Sequence, residues 1–213
     1  ISKTGKPCIA VVAAGSAINP ENFTDALIHA WYPGQEGGNA LADILFGKIS
    51  PSGKLPVTFY EKVEKLPDFS DYSMENRTYK NITDNVLFPF GFGLTYTKFK
   101  CENLRFDNKT ATVHVKNVGD TPSEDVIQFY IKDFSEFAVK NYSLCGFKRI
   151  SLNPGEEAEI SVKILDSAFE AVDNNGKRQI LSDSFMLYAG TSQPDSLSEK
   201  LSQTKSISLK INL

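Results

Sequence analysis

Two carboxylates, Glu36 and Asp43, stand seven residues apart in and just after the stretch AWYPGQEGG (residues 30–38). That spacing returns both to one face of a helix. A carboxylate pair held across a sugar is the equipment for general acid–base and nucleophilic cleavage of a glycosidic bond. Glu36, however, directly precedes Gly37-Gly38, where the sequence predicts a helix to begin. A carboxylate there faces the positive end of the helix dipole and can accept hydrogen bonds from orphan backbone N–H groups. Such bonds suit an ionised carboxylate rather than a proton-donating acid. Glu36 is therefore expected to cap a helix. Trp31 and Tyr32 could stack on a ring, but Trp31 ends an apolar run and is expected to pack against the protein itself.

Other chemistries find no support. GKISPSGKL (residues 47–55) superficially resembles a phosphate-binding loop, but its spacing is one residue too long. Leu55 also stands where a magnesium-holding Ser or Thr belongs. His29 and His114 are far apart, each within a strand-like pattern and without a second ligand at helical spacing, so structural roles are expected and no metal site is assigned. Gly15-Ser16-Ala17 lacks the second glycine of a nucleophile elbow. Cys8, Cys101 and Cys145 are odd in number and form no CxxC, which predicts free buried thiols in a reducing compartment. Asn-x-Ser/Thr sequons occur at Asn22, Asn76, Asn81, Asn108 and Asn141. Without a visible signal peptide they are read as chance, and a cytoplasmic location is expected over a secreted one.

The elements that must position these residues follow from composition and period. With 213 residues and 41% hydrophobic content the chain can bury a core. Net charge is −3, pI is about 5.5, and no basic stripe appears. Nucleic acid and anionic membranes are thus not expected as partners. No apolar run approaches a membrane span of about 18 residues or more.

The pattern divides the chain in three. Residues 1–60 read as an α/β segment. CIAVVAA (8–14) and ALIHAW (26–31) are apolar runs of the kind covered on both faces. Leu41, Ile44 and Leu45 then mark a short amphipathic helix with Gly47 at its carboxy-terminal cap. SPSGKLPVTFY (50–60) reads as a turn and an edge strand. This set is too small for a complete sheet, so the α/β sandwich is expected to be incomplete and the chain to be a piece of something longer. Residues 61–99 read as an irregular connection, whose Phe88, Phe90, Phe92, Tyr96 and Phe99 are expected to pack at an interdomain seam. From residue 100 to 213 the period is two: Val113/Val115, Ile127/Phe129/Ile131, Ile160/Val162/Ile164 and Ile207/Leu209/Ile211 alternate with polar residues. Turn signals at Asn117, Asn153 and Asn174 separate about seven strands, an all-β sandwich of immunoglobulin or fibronectin-III type.

The stretch AWYPGQEGGNALADILFGKISPSGKLPVTF (30–59) resembles the signature of family 3 glycoside hydrolases near the end of their α/β-sandwich domain. RTYK (77–80) and LFPFGFGLTYTKF (87–99) resemble the blocks that follow it. VKNVGD, GFKRISLNPGE and FMLYAG resemble the family's trailing fibronectin-III-like domain. The resemblance implies a retaining, exo-acting β-glycosidase, a β-glucosidase first and a β-xylosidase as the alternative, needing no cofactor. It places the nucleophilic Asp on a (β/α)8 barrel in a Ser-Asp-Trp-like context, and the acid/base Glu upstream of residue 1. Neither is found in this sequence, so no catalytic residue transfers, and the chain alone is expected to be inactive. The implied partners are the barrel-bearing remainder of the enzyme and a β-glucoside; homo-oligomerisation stays open. Arg77 and Tyr79 are the candidates for approaching the substrate cleft. A stand-alone carbohydrate-binding sandwich would need a row of exposed aromatics, but the strands show Thr, Lys, Ser and Glu on their outer positions.

Overall fold

Two short strands open the chain as a parallel pair. β1 (Ile9–Val12) aligns with β2 (Ala26–His29), Ile9 opposite Ala26 and Val12 opposite His29. The computed structural model describes residues 5–19 and 25–213, so the sequon at Asn22 lies outside the described residues. The two-sided cover expected for the first run is not present among them: Ile9 and Val11 are half exposed, because no described layer packs on that face. The second run is strand only to His29, and Trp31 turns out of it in a left-handed conformation with φ 53°. Its ring packs on His29 and edge-on to Phe59, the protein-packing role expected of it.

Helix α1 spans Gly37–Leu45. It ends as the glycine predicts: Gly47 has φ +70°, its N–H bonds the carbonyl of Ile44 at 3.0 Å, and Lys48 N–H bonds that of Asp43 at 2.8 Å. This paired closure satisfies carbonyls that the helix end leaves open. At the other end Glu36 does occupy the cap position, but its carboxylate bonds no backbone N–H. Its backbone is not extended (φ −86°, ψ 7°), so the side chain does not fold back onto the first turn. Oε2 instead accepts from the Asn39 amide at 2.5 Å.

The segment after α1 carries more structure than its sequence predicts. β3 (Phe59–Tyr60) pairs antiparallel with β4 (Val86–Phe88). Between them lie a 3-10 turn at Val63–Lys65 and the one-turn helix α2 (Thr78–Asn81).

The sandwich follows. β5 (Phe99–Asp107), β6 (Thr110–Asn117) and β9 (Glu157–Lys163) form a three-stranded sheet in the order β5-β6-β9. β7 (Ser123–Asp133), β8 (Ser143–Leu152), β12 (Ser184–Gly190) and β13 (Ile207–Asn212) form a four-stranded sheet in the order β13-β12-β7-β8. A small hairpin of β10 (Ala171–Val172) and β11 (Arg178–Gln179) and the helix α3 (Ser196–Ser202) decorate it. The alternating residues meet between the sheets: Val113, Val115, Ile127, Phe129, Ile131, Ile160, Phe185, Leu187 and Ala189 are buried there. Phe99 joins this core rather than the seam expected of it, because it begins β5 on the inward face. On the outer face of the three-stranded sheet Thr112 bonds Ser161, and Lys116 pairs with Glu157.

Candidate functional site

One face of β7 breaks the alternation. Gln128 and Tyr130 occupy positions that the period assigns to solvent, yet both are buried. The covering layer is the aromatic segment from the first half of the chain. Gln128 Nε2 donates to the carbonyls of Gly91 at 2.9 Å and Thr191 at 3.0 Å, and Tyr130 Oη–H donates to Gln128 Oε1 at 2.6 Å. Gly91 has φ +76°, and a Cβ there would stand 2.2 Å from Gln128 Oε1, so only glycine permits this approach.

An ion pair fixes the same seam. Lys54 Nζ lies 2.8 Å from Asp125 Oδ1 and donates to the Gly93 carbonyl at 2.8 Å, with both side chains almost fully buried. Burial raises the Asp125 carboxyl above its ordinary pKa, and Lys54 opposes that rise. Arg149 adds contacts to Glu124 and to Ser52 Oγ, and Tyr96 Oη–H reaches across to the Ile44 carbonyl at 2.8 Å.

Of the two residues singled out by sequence, Tyr79 lies on this seam. Its ring stacks on Phe90 at 4.1 Å and 12°, and meets Tyr130 edge-on. Its hydroxyl oxygen accepts from Leu144 N–H on β8 at 3.0 Å, and burial raises the phenol's pKa. Arg77 is engaged elsewhere. Its Nη2 donates to the carbonyls of Asp68 at 2.6 Å and Asp71 at 3.0 Å, clamping the loop before α2. Hydrogen bonds from Ser70 and Ser73, with Arg77 nearby, hold the Asp68 and Asp71 carboxyls below the usual range. The structure thus gives different partners to two residues that stand two positions apart in sequence.

Beside the Tyr79–Phe90 stack opens a cleft of about 330 Å³, lined in part by Thr58, Asn85, Asn141, Tyr142, Gln193 and Asp195. Asn85 is committed to both backbone groups of Lys62, and Asn141 Nδ2 donates to the carbonyls of Tyr79 and Ile82. A glycan at the Asn141 sequon would break those two bonds. Asp195 caps α3, accepting from Ser198 N–H and Oγ–H. Sequence reasoning missed this cleft, since Thr58 and Gln193 come from distant segments. DVIQFYI (125–131), where polar positions sit in an otherwise apolar run, was a signal for the seam over β7 and not for this cleft, which none of its residues lines.

Glu36 and Asp43 do not form a working pair. Glu36 bonds Asn39, and Asp43 pairs with Lys48 at 3.1 Å. His29 Nε2 lies 3.2 Å from the Ser16 carbonyl, and His114 Nε2 lies 3.2 Å from Glu157 Oε2. Among the described residues no cluster of three or more His, Cys, Asp or Glu could hold a metal, and no helix is long and apolar enough to cross a membrane. The three cysteines are free and only partly buried; burial pushes the Cys101 and Cys145 thiols up to about 12.

Comparison with known proteins gives this architecture a family. Residues 1–96 match the profile of the glycosyl hydrolase family 3 C-terminal domain, and residues 125–193 match that of the fibronectin type III-like domain. The chain belongs to glycosyl hydrolase family 3. This family 3 chain is 40% identical to a xylan 1,4-beta-xylosidase of Xylanibacter ruminicola, over 96% of its own length and 25% of that protein's. It is 33% identical to a periplasmic beta-glucosidase of Salmonella typhimurium, over 77% of its length and 25% of the relative's. Among solved structures it resembles beta-glucosidase 3B of Thermotoga neapolitana, with TM-score 0.80 and 25% identity, across 100% of this chain and 32% of that one. It also resembles a family 3 beta-glucosidase of Bifidobacterium adolescentis, with TM-score 0.78 and 26% identity, across 96% of this chain and 32% of that one. The chain therefore spans about a quarter of the length of these curated relatives.

Proposed function

We propose that this chain is the carboxy-terminal support of a retaining, exo-acting β-glycosidase that removes terminal β-linked glucose. The observation that carries the reading is the order of its two domains, matched to the family over most of the chain. The resemblance to beta-glucosidase structures supports glucose as substrate. The similarity to the Xylanibacter ruminicola beta-xylosidase favours xylose as the second reading.

In this proposal the chain contributes position rather than chemistry. The Lys54–Asp125 pair and the Gln128–Gly91 contact hold the α/β segment against the sandwich. Tyr79 and the Arg77-clamped loop then form a fixed wall toward the substrate cleft of the complete enzyme. The nucleophile and acid/base reside on a barrel-bearing partner, which also covers the exposed Ile9 and Val11 side of the parallel pair. The three free thiols support a reducing, cytoplasmic setting.

The test is hydrolysis of p-nitrophenyl β-glucoside and β-xyloside by the purified chain, beside intact mass and gel analysis of the native preparation. No turnover by the chain alone, with turnover in a preparation holding a second chain of barrel size, is the expected result. Turnover by a verified single chain would overturn the support role. A higher kcat/KM on the xyloside would replace glucose by xylose.

A further inference from the structure

The sandwich leaves one strand edge open beside a groove. β5 ends the three-stranded sheet, so β6 takes one side of it and no strand among the described residues pairs with the other. The phase of the hydrogen bonds shows which residues face the open side. Val118 N–H bonds the Lys98 carbonyl on β5. Asn117, opposite Phe99, instead bonds Glu156 and Gly155 on the far side, next to β9. In an antiparallel ladder the backbone groups reverse direction from one residue to the next. Lys98, Lys100 and Glu102 therefore turn their N–H and C=O groups to β6, and Phe99 and Cys101 turn theirs to the open edge. Along that edge runs a groove of about 600 Å³, lined by residues 98–103 and 203–207 and by Val118. Its second wall is the turn from α3 into β13.

Side chains along the edge follow the pleat. Phe99 and Cys101 pack toward the sandwich core, while Lys98 and Lys100 are exposed. Lys100 engages Glu102 at 2.5 Å, and Lys98 Nζ crosses the groove to Gln203 Oε1 at 2.9 Å. Glu102 is the one carboxylate in the lining, against Lys98, Lys100 and Lys205, so the groove keeps an excess of positive charge. A register shift between Glu102 and Arg105, with Asn103 at φ 55°, ends the straight edge. From Lys98 to Glu102 that edge is about 16 Å long, at a rise of ~3.3 Å per residue.

We propose that the β5 edge docks an extended acidic segment of a partner protein, which adds a strand to the three-stranded sheet. The backbone groups of Phe99 and Cys101 supply the ladder, and acidic side chains at alternate positions of the segment lie beside the lysines. The open backbone groups call for a strand, and the surplus of lysine decides which strand. A second copy of this chain brings the same surplus, and like charges opposed across a sheet are destabilising. The inference does not rest on the glycosidase reading, which uses none of these residues.

The probe is a short capped peptide of alternating glutamate and valine, carrying a fluorophore and titrated into the native preparation that holds this chain. Anisotropy reads the affinity, and hydrogen–deuterium exchange reads the amides of Phe99 and Cys101. Both amides are expected to exchange fast without peptide and to slow when it binds, and binding should weaken as salt rises. Lys98→Gln combined with Lys205→Gln, at two exposed positions, should weaken binding about fivefold. A lysine–valine peptide should not bind, nor should the glutamate–valine peptide with its backbone N-methylated. Absence of saturable binding overturns the proposal, as does equal affinity for the lysine–valine peptide or in the doubly substituted protein. Binding that leaves both amides unprotected overturns it too. Protection of both amides before peptide is added also overturns it, since the edge is then covered by the rest of the protein or, where the mass rises with concentration, by a second copy.

Discussion

The two halves of this molecule solve the burial problem differently. In the sandwich each sheet covers the other, and Val113, Phe129 and Leu187 are sealed from water. In the α/β segment the parallel pair leaves Ile9 and Val11 half exposed, and Gly37 is the one buried residue of α1 among those described. The contrast has a topological origin. An antiparallel sandwich closes on its own inner faces, whereas a parallel sheet needs layers on both sides. What binds the less enclosed half to the closed one is the seam on β7.

Substitutions can break or sharpen that comparison. The largest effect is expected in the closed core: Phe129→Ala should cost about 3–5 kcal/mol in urea unfolding, whereas Ile9→Ala should cost under about 1 kcal/mol, since half its surface is already wet. Equal losses would show that the two regions are equally enclosed. Next is the seam. Lys54→Met leaves Asp125 buried without its cation and should destabilise by about 3 kcal/mol at neutral pH. Limited proteolysis should then cut the chain between the halves while the sandwich survives; loss of both together would make them a single cooperative unit.

Asp125 also gives the seam a pH signature. Its folded pKa is raised above the unfolded value, so the folded state holds the proton more tightly. The linked contribution is therefore fully favourable below the unfolded carboxylate value. It declines as pH rises to the folded value and is flat beyond it. Unfolding of the unsubstituted chain and of Asp125→Asn across that window should differ by a term that falls with pH; a rising difference would mean that pairing to Lys54 outweighs burial. The smallest effect belongs to Gly47→Ala, where φ +70° disfavours a side chain although the space is open. A loss of about 1 kcal/mol is expected, and its appearance in the main unfolding transition would show α1 coupled to the sandwich.

Local pattern was enough for elements whose environment is regular. Val113 and Val115 point inward because β6 is covered on one face, and Gly47 ends α1 because the closing turn needs a left-handed residue. Pattern failed where a second body changes the environment. Gln128 and Tyr130 read as solvent-facing until the Phe90–Gly93 segment is laid over them. Glu36 read as a side-chain cap, but its backbone angles send the carboxylate to Asn39. Arg77 and Tyr79 were legible as residues worth following. Their partners were not, since Arg77 bonds carbonyls of a folded loop and Tyr79 reaches β8.

The sequence by itself determined the family blocks, the change of period near residue 100 and the type of both halves, because these depend on short-range order along the chain. Only the tertiary structure decided which face of β7 is dry, that Lys54 meets Asp125, and that Thr58 and Gln193 share one cleft. Those facts rest on contacts between residues far apart in the chain, which no local spacing encodes and only packing brings together.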